Sequence, residues 1–430
     1  MTMPAILAER TRSLGSQLRH SKTARQTVSL FGCQVVGMAL GFGVNLINTR
    51  ALGPADYGLY AATFAATEFV TLFLDFGIFS SGARLLAVNQ HEPERQRRLI
   101  GALIMIAGAL SLMSALALWG ISFFVVSLLN APIEHLLRWF SLLLGLLTFQ
   151  TLVEATCRGT GRIEVLAFFS LTSKGFGIVL LGLAFATGIY SLSLAMATSL
   201  VGSLAAAILL LSSFRPQFRD LGSAKRELWR DLKGYGFHTY TGDLASTGSS
   251  RTDSLILSHF VNPTAVGYYR LAALTLTPMS TLSSSLSTTL FRRFAVARRI
   301  SPLVFAANGI GLILCLFAVI AAGKPVVHLI FGPKYDTVAT LLPIVAFAVL
   351  FSGLAVPLNR FLGAQGKGRY LKRIALILSL ASVLLNFGLI PRFGILGACY
   401  AAALSMLTNF LLHTYFYLRT VRSLPQATAN

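Results

Sequence analysis

Three cations lie inside stretches of this sequence that otherwise suit hydrocarbon: Lys174, Arg251 and Arg270. Asp243 and Asp253 share the stretch that holds Arg251, and Asp75 closes another apolar run. On insertion scales a cation at mid-bilayer costs roughly 2.5–3.5 kcal/mol, so something must offset it. One offset is an internal salt-bridge network with Asp243 and Asp253 as the partners. The other is recognition of an anionic headgroup, because a guanidinium fork binds phosphate oxygens bidentately. Hydroxyls also suit the second: eight Ser or Thr fall between Thr239 and Ser254. Sugar hydroxyls that lose water need such replacement hydrogen bonds. Asp75 and Asp253 are also candidates for coupling to an ion, although Asp75 is expected to pair with Arg84. Glu154 stands close to Arg158 and reads as structural.

No catalytic constellation accompanies these residues. The seven His are scattered, and no His/Cys cluster has metal-ligand spacing. Neither an enzyme nor a metal or cofactor is expected. Gly159-Thr160-Gly161-Arg162 is too short for a nucleotide phosphate loop, and no strand precedes it. Gly37 and Gly41 form a GxxxG, which reads as helix packing.

The elements that must carry these side chains are membrane helices. The chain of 430 residues is 55% hydrophobic and only 12% charged, whereas soluble domains carry about 25% charged residues. Leu99–Gly120, Leu303–Gly323 and Ile374–Ile390 contain no charge and approach or exceed the ~20 apolar residues that a span requires. Such spans recur along the chain and leave no room for a soluble domain. Cys33, Cys157, Cys315 and Cys399 fall in or at the ends of apolar spans and imply no disulfide framework. The basic N-terminal stretch resembles a signal peptide, but Thr27–Asn48 is long for one and no small-residue cleavage site follows. It is expected to remain as the first helix.

The net charge of +21 invites a nucleic-acid reading, and the placement of the charges excludes it. Alternate connections between spans hold 28 of the 36 Lys and Arg, against 5 on the opposite side. This asymmetry is the positive-inside rule, and it puts both termini in the cytoplasm. The expected organisation is a cytoplasmic tail over 1–26, a six-helix lobe over 27–213 and a basic linker over 214–234. A second six-helix lobe over 235–418 and a cytoplasmic tail over 419–430 follow.

Two lobes are expected because the sequence repeats itself. Pro54, Gly58 and Tyr60 recur as Pro263, Gly267 and Tyr269. Val125-Val126-Ser127-Leu128 through Pro132 recurs as Val326-Val327-His328-Leu329 through Pro333, and Gly159-Thr160-Gly161-Arg162 as Gly366-Lys367-Gly368-Arg369. All three matches keep the same order and nearly the same offset. Six spans per half give both halves one orientation, with a path between the lobes. The fold class is therefore all-α and polytopic, with about twelve transmembrane helices in two six-helix lobes. The repeat also demands a seventh span over Tyr235–His259, which is too polar to face lipid and must face protein or a cavity. Counted inward from the turn at Asn262-Pro263, Arg251 and Arg270 lie about 6 Å apart in depth, near enough to serve one headgroup.

Several motifs resemble those of one family. Arg50-Ala51-Leu52-Gly53 through Gly58 resembles the R-x-L-G-x-x-x-Y-G signature of polysaccharide-export flippases, and Asp75-Phe76-Gly77 with Arg84 resembles their D-x-G element. Asp253-Ser254-Leu255 with Ala265-Val266-Gly267-Tyr268-Tyr269, and Phe331-Gly332-Pro333-Lys334-Tyr335, resemble two further signatures. Together they cover most of the chain and resemble the Wzx-type lipid-linked oligosaccharide flippases. Lipid II flippases and multidrug exporters are more distant members of the same superfamily. The resemblance implies a multi-pass inner-membrane flippase for an undecaprenyl-diphosphate-linked oligosaccharide in O-antigen, lipopolysaccharide or exopolysaccharide assembly. It further implies contact with membrane lipids, a polysaccharide polymerase and a chain-length regulator, and no nucleic acid. Under that reading Arg251, Arg270, Lys174, Asp253 and Asp243 line the substrate cavity. A cation-coupled multidrug exporter is the alternative. A membrane glycosyltransferase or polymerase is a weaker one, because the outer connections are short.

Overall fold

The computed structural model describes residues 22–126 and 131–423; within its helices some side chains, those of Asp243 and Arg251 included, lie outside the description. Among the described residues the chain is helical throughout, with no strand.

Two helical runs are too long to be single spans. α1, Lys22–Leu74, has 53 residues, or about 80 Å at 1.5 Å per residue against a hydrocarbon core of about 30 Å. It is two helices meeting at Gly53 (φ +77°), immediately before Pro54. The left-handed backbone there needs glycine, and proline at the next position starts a new helix with a preset φ. The last helix, Gly368–Ser423, folds back in the same way at Gly394 (φ +57°). Between them lie α2 (Ile78–Val88), α3 (Pro93–Ile121), α4 (Glu134–Gly145), α5 (Thr148–Gly159), α6 (Ile163–Ala186) and α7 (Leu192–Ser213). The linker helix α8 (Leu221–Asp231) and a π-helical turn lead into α9 (Phe237–Phe260). Then come α10 (Pro263–Thr275), α11 (Thr277–Val296), α12 (Pro302–Phe331), α13 (Asp336–Ala364) and α14 (Gly368–Ser423).

Twelve crossings result when the two long helices count as two each, α2 continues the second crossing, α4 with α5 make one, and α10 with α11 make one. Among the described residues, seven helical stretches are long and apolar enough to be recognised as spans alone. α9 carries Asp243, Arg251 and Asp253, so the polar seventh span comes from the repeat and not from hydropathy. Large apolar side chains such as Trp139, Leu303 and Leu329 are about four-fifths exposed, as expected of a surface that meets lipid.

Each lobe has its own packing. Phe79, Leu99, Leu103, Leu152 and Phe214 form a core in the N-terminal half. The C-terminal core joins Leu271, Leu312, Val338 and Ala398, and it also takes in Tyr57 and Ala61 from α1. The lobes meet where the repeated glycines meet. A Cβ on Gly58 would lie 2.5 Å from the Pro263 carbonyl oxygen, and one on Gly267 would lie 3.0 Å from the Gly58 Cα. Equivalent residues touch each other only near a symmetry axis, so the axis relating the lobes passes between these two glycines. Gly58 therefore serves close helix approach, and not the turn itself.

At the opposite end from this crossing the linker helix docks on α2 and α3. Arg84 pairs with Asp231, Arg95 with Glu227 at 2.9 Å and Arg98 with Asp220 at 3.5 Å. This arginine-rich surface is called the basic end below, and the opposite surface the far end. The linker residue Asp231 is thus an ion-pair partner of Arg84. Asp75 sits at the break between α1 and α2, where its carboxylate accepts a 3.5 Å hydrogen bond from the Phe79 N–H. α2 carries Arg84 beyond that break toward the linker.

Candidate functional site

A cavity of about 460 Å³ opens between the lobes. The second half of α1 contributes Tyr57, Tyr60 and Glu68, α9 contributes Asp253 and Ser254, and α10 contributes Tyr269 and Arg270. Pro263 starts α10, and Asn262 caps it by accepting the Ala265 N–H at 2.8 Å. The cap fixes the helix start, and Arg270 follows two turns inside.

Among the described residues Arg270 is the cation of this chamber. Its Nη2 lies 3.1 Å from Glu68 Oε2, and its Nε donates to Ser254 Oγ at 3.5 Å. The Asp253 carboxylate accepts from Tyr269 OH at 2.9 Å. Tyr57 OH donates to Asn45 Oδ1 at 2.9 Å, and Tyr60 OH lies 3.3 Å from Ser199 Oγ. The described wall therefore holds one guanidinium, two carboxylates and several hydroxyls. That set can exchange an internal carboxylate for an incoming anion at Arg270 and hydrogen-bond sugar hydroxyls around it.

The sequence-derived candidates divide. Arg270 and Asp253 come together in the cavity, and Arg270 also meets Glu68 of the other lobe. Asp253 is held by Tyr269 and Ser254. Asp243 and Arg251 fall outside the described side chains. Lys174 lies apart from the cavity: its Nζ donates to Gly37 O at 2.8 Å and packs beside Gly41. The GxxxG of the first span thus gives Lys174 room inside the N-terminal lobe. Asp75 is also away from the cavity wall, close to the π-helical turn that Gly77 and Gly236 allow to approach.

Glu68 is not among the sequence-derived candidates, although a signal for it exists. It is the only acid in the apolar run from Ala61 to Leu74, and an ionisable residue inside a span marks function by default. Tyr57, Tyr60 and Tyr269 carry no such signal, since tyrosine also suits a plain core.

At the far end the lobes are held together by direct contacts. Arg50 donates from Nε to the Ile330 carbonyl at 2.8 Å and from Nη2 to that of Leu329 at 3.1 Å, at the C-terminus of α12. Tyr335 OH, fully buried, donates to Thr49 O at 2.8 Å. Arginine suits this place because the last carbonyls of a helix lack intrahelical donors and carry partial negative charge.

The family described as "Polysaccharide biosynthesis protein" matches residues 23–297. AglR of Haloferax volcanii, named a probable flippase, is 25% identical over 431 residues, spanning 95% of this chain and 86% of AglR. Agl15 of the same organism, named a probable low-salt glycan biosynthesis flippase, is 22% identical over 413 residues, spanning 91% and 83%. Among solved structures, the lipid II flippase MurJ in an inward closed conformation superposes with a TM-score of 0.73 at 15% identity, covering 92% of this chain and 88% of MurJ. An inward-facing multidrug resistance MATE family transporter gives 0.71 at 13% identity, covering 91% and 96%. At these identities the two structures establish the shared fold of two helical lobes.

Proposed function

The chain belongs to the polysaccharide biosynthesis protein family, and on that premise we propose that it is a flippase. Its cargo in this reading is an undecaprenyl-diphosphate-linked oligosaccharide, moved from the cytoplasmic to the outer leaflet of the inner membrane for O-antigen or exopolysaccharide assembly. The basic end then faces the cytoplasm. The observation that carries the proposal is the polar chamber at the lobe boundary, with Arg270 set among hydroxyls. The probable-flippase relatives AglR and Agl15 support the same reading.

The cycle follows from the contacts. A diphosphate entering the chamber displaces Glu68 from Arg270, which the long, flexible partners permit. Tyrosine and serine hydroxyls then replace water around the sugars, while the polyprenyl chain stays in lipid. Release to the far side requires the Arg50, Tyr335 and Gly58–Gly267 contacts to part as the lobes rock.

Glu68 and Asp253 also suit a cation, which favours a second reading, a cation-coupled exporter of drugs. Deletion of the gene followed by lipid extraction separates the two. Headgroup-bearing lipid trapped on the cytoplasmic leaflet, cleared by the wild-type chain and not by Arg270→Ala, supports flipping. Normal surface polysaccharide with raised dye sensitivity sinks it.

A further inference from the structure

The basic end of the N-terminal lobe contains a second cavity, of about 550 Å³, that the transport path does not use. Its wall includes Arg97 on α3, Arg162 between α5 and α6, and Arg215 after α7, above Phe214 and Ile100. Among the described residues no carboxylate lines it. We propose that this cavity binds the phosphate of an anionic phospholipid from the leaflet at the basic end.

Charge pairing is the first support. Three acids of this face are already engaged: Asp220 with Arg98, Glu227 with Arg95 and Asp231 with Arg84. Among the described residues neither Arg97 nor Arg215 has an ion-pair partner, and Arg162 lies over the Phe214 ring at 5.1 Å. Three guanidinium groups around one opening leave a strong field for an anion, and five N–H donors on each can reach phosphate oxygens.

The cavity is also held in shape. The Gln217 N–H donates to the Arg97 carbonyl at 3.0 Å, tying the segment after α7 to α3. That segment runs so close that a Cβ on Gly101 would lie 2.0 Å from Gln217 O. Arg215 itself adopts φ +49°, a conformation that non-glycine residues rarely take. Gly159-Thr160-Gly161-Arg162, with Gly161 at φ +70°, turns α5 into α6 and brings Arg162 to the same opening.

Depth selects a lipid over a soluble phosphate. α3 and α6 begin here and α5 and α7 end here, which is the level of the headgroups. Basic pockets between span ends hold anionic headgroups at that level. Phe214 and Ile100 offer an apolar floor for the glycerol and the first acyl carbons.

The test uses the full chain in nanodiscs of phosphatidylcholine mixed with phosphatidylglycerol, with retained lipid read by native mass spectrometry. Wild type should retain phosphatidylglycerol selectively. Arg162→Gln with Arg215→Gln should weaken that retention about thirtyfold, roughly fivefold per arginine. Arg369→Gln with Lys372→Gln, removing equal charge from the other lobe, should leave it within twofold. A lysine version, Arg162→Lys with Arg215→Lys, keeps the charge and should keep most of the retention, which guards against misfolding as the cause. Unchanged retention in the glutamine variant overturns the proposal, and so does equal loss in the control pair. Saturable binding of inorganic phosphate in phosphatidylcholine discs, without preference for phosphatidylglycerol, also overturns the lipid assignment.

Discussion

Arg270 and Glu68 pair across the lobes at 3.1 Å, with side chains 23% and 36% exposed. A pair this open to water contributes about 1 kcal/mol or less, which does not repay the roughly 2.5–3.5 kcal/mol needed to insert an arginine. Stability therefore does not account for Arg270, which supports the substrate-recognition role proposed for it. Arg270→Ala should lower polysaccharide export at least tenfold at matched protein level, and Arg270→Lys should keep partial activity because it preserves charge without the fork. Combining Arg270→Ala with Glu68→Gln should leave export lost. Restored export in the double variant would show that the arginine serves only to neutralise its partner. Arg270 was legible as a cation in an apolar run. Its partner was not, because Glu68 lies 202 residues away in sequence and only the packing of the lobes brings the two together.

Among the elements, the α1–α10 crossing bears the strongest steric constraint. A methyl at Gly58 would meet backbone atoms of Pro263 and Thr264 at 2.5–2.6 Å, and backbone cannot step aside as a side chain can. Gly58→Ala should therefore cost roughly 1–3 kcal/mol and part the lobes at the far end. A cysteine at Asn45, on the cavity wall, should then become more reactive to impermeant thiol reagents from the far face. Gly108→Ala is the matched control, since nothing lies within 4 Å of its added Cβ; unchanged reactivity in both variants would remove the crossing from the gate. Arg50→Ala should move reactivity in the same direction by freeing the carbonyls of Leu329 and Ile330. An export rate and accessibility equal to wild type would mean that this contact holds nothing closed. The repeat made both crossing motifs visible in the sequence, Gly58 included, but not what Gly58 touches. Only the packed helices reveal that its missing side chain matters for contact.

For the whole molecule, the charge asymmetry predicts a topology that labelling can check. Single cysteines at Ser223 in the linker helix and at Lys334 after α12, in a background without the four native cysteines, should react from opposite membrane faces. Reaction of both from one face would break the twelve-span path. That path, the doubled lobe and the polar seventh span follow from sequence by itself, because each rests on local or additive quantities. Apolar length sets a span, summed loop charge orients it, and repeated motifs count the crossings. What only the tertiary structure decided is which side chains share a wall. Depth along a helix can be counted at 1.5 Å per residue, whereas azimuth depends on what each helix packs against. In lipid, apolar residues suit both the packed and the outer face, so periodicity points weakly to either. The docking of the lobes therefore turned Arg270 toward Glu68, left Lys174 against Gly37, and gathered Arg97, Arg162 and Arg215 around one opening.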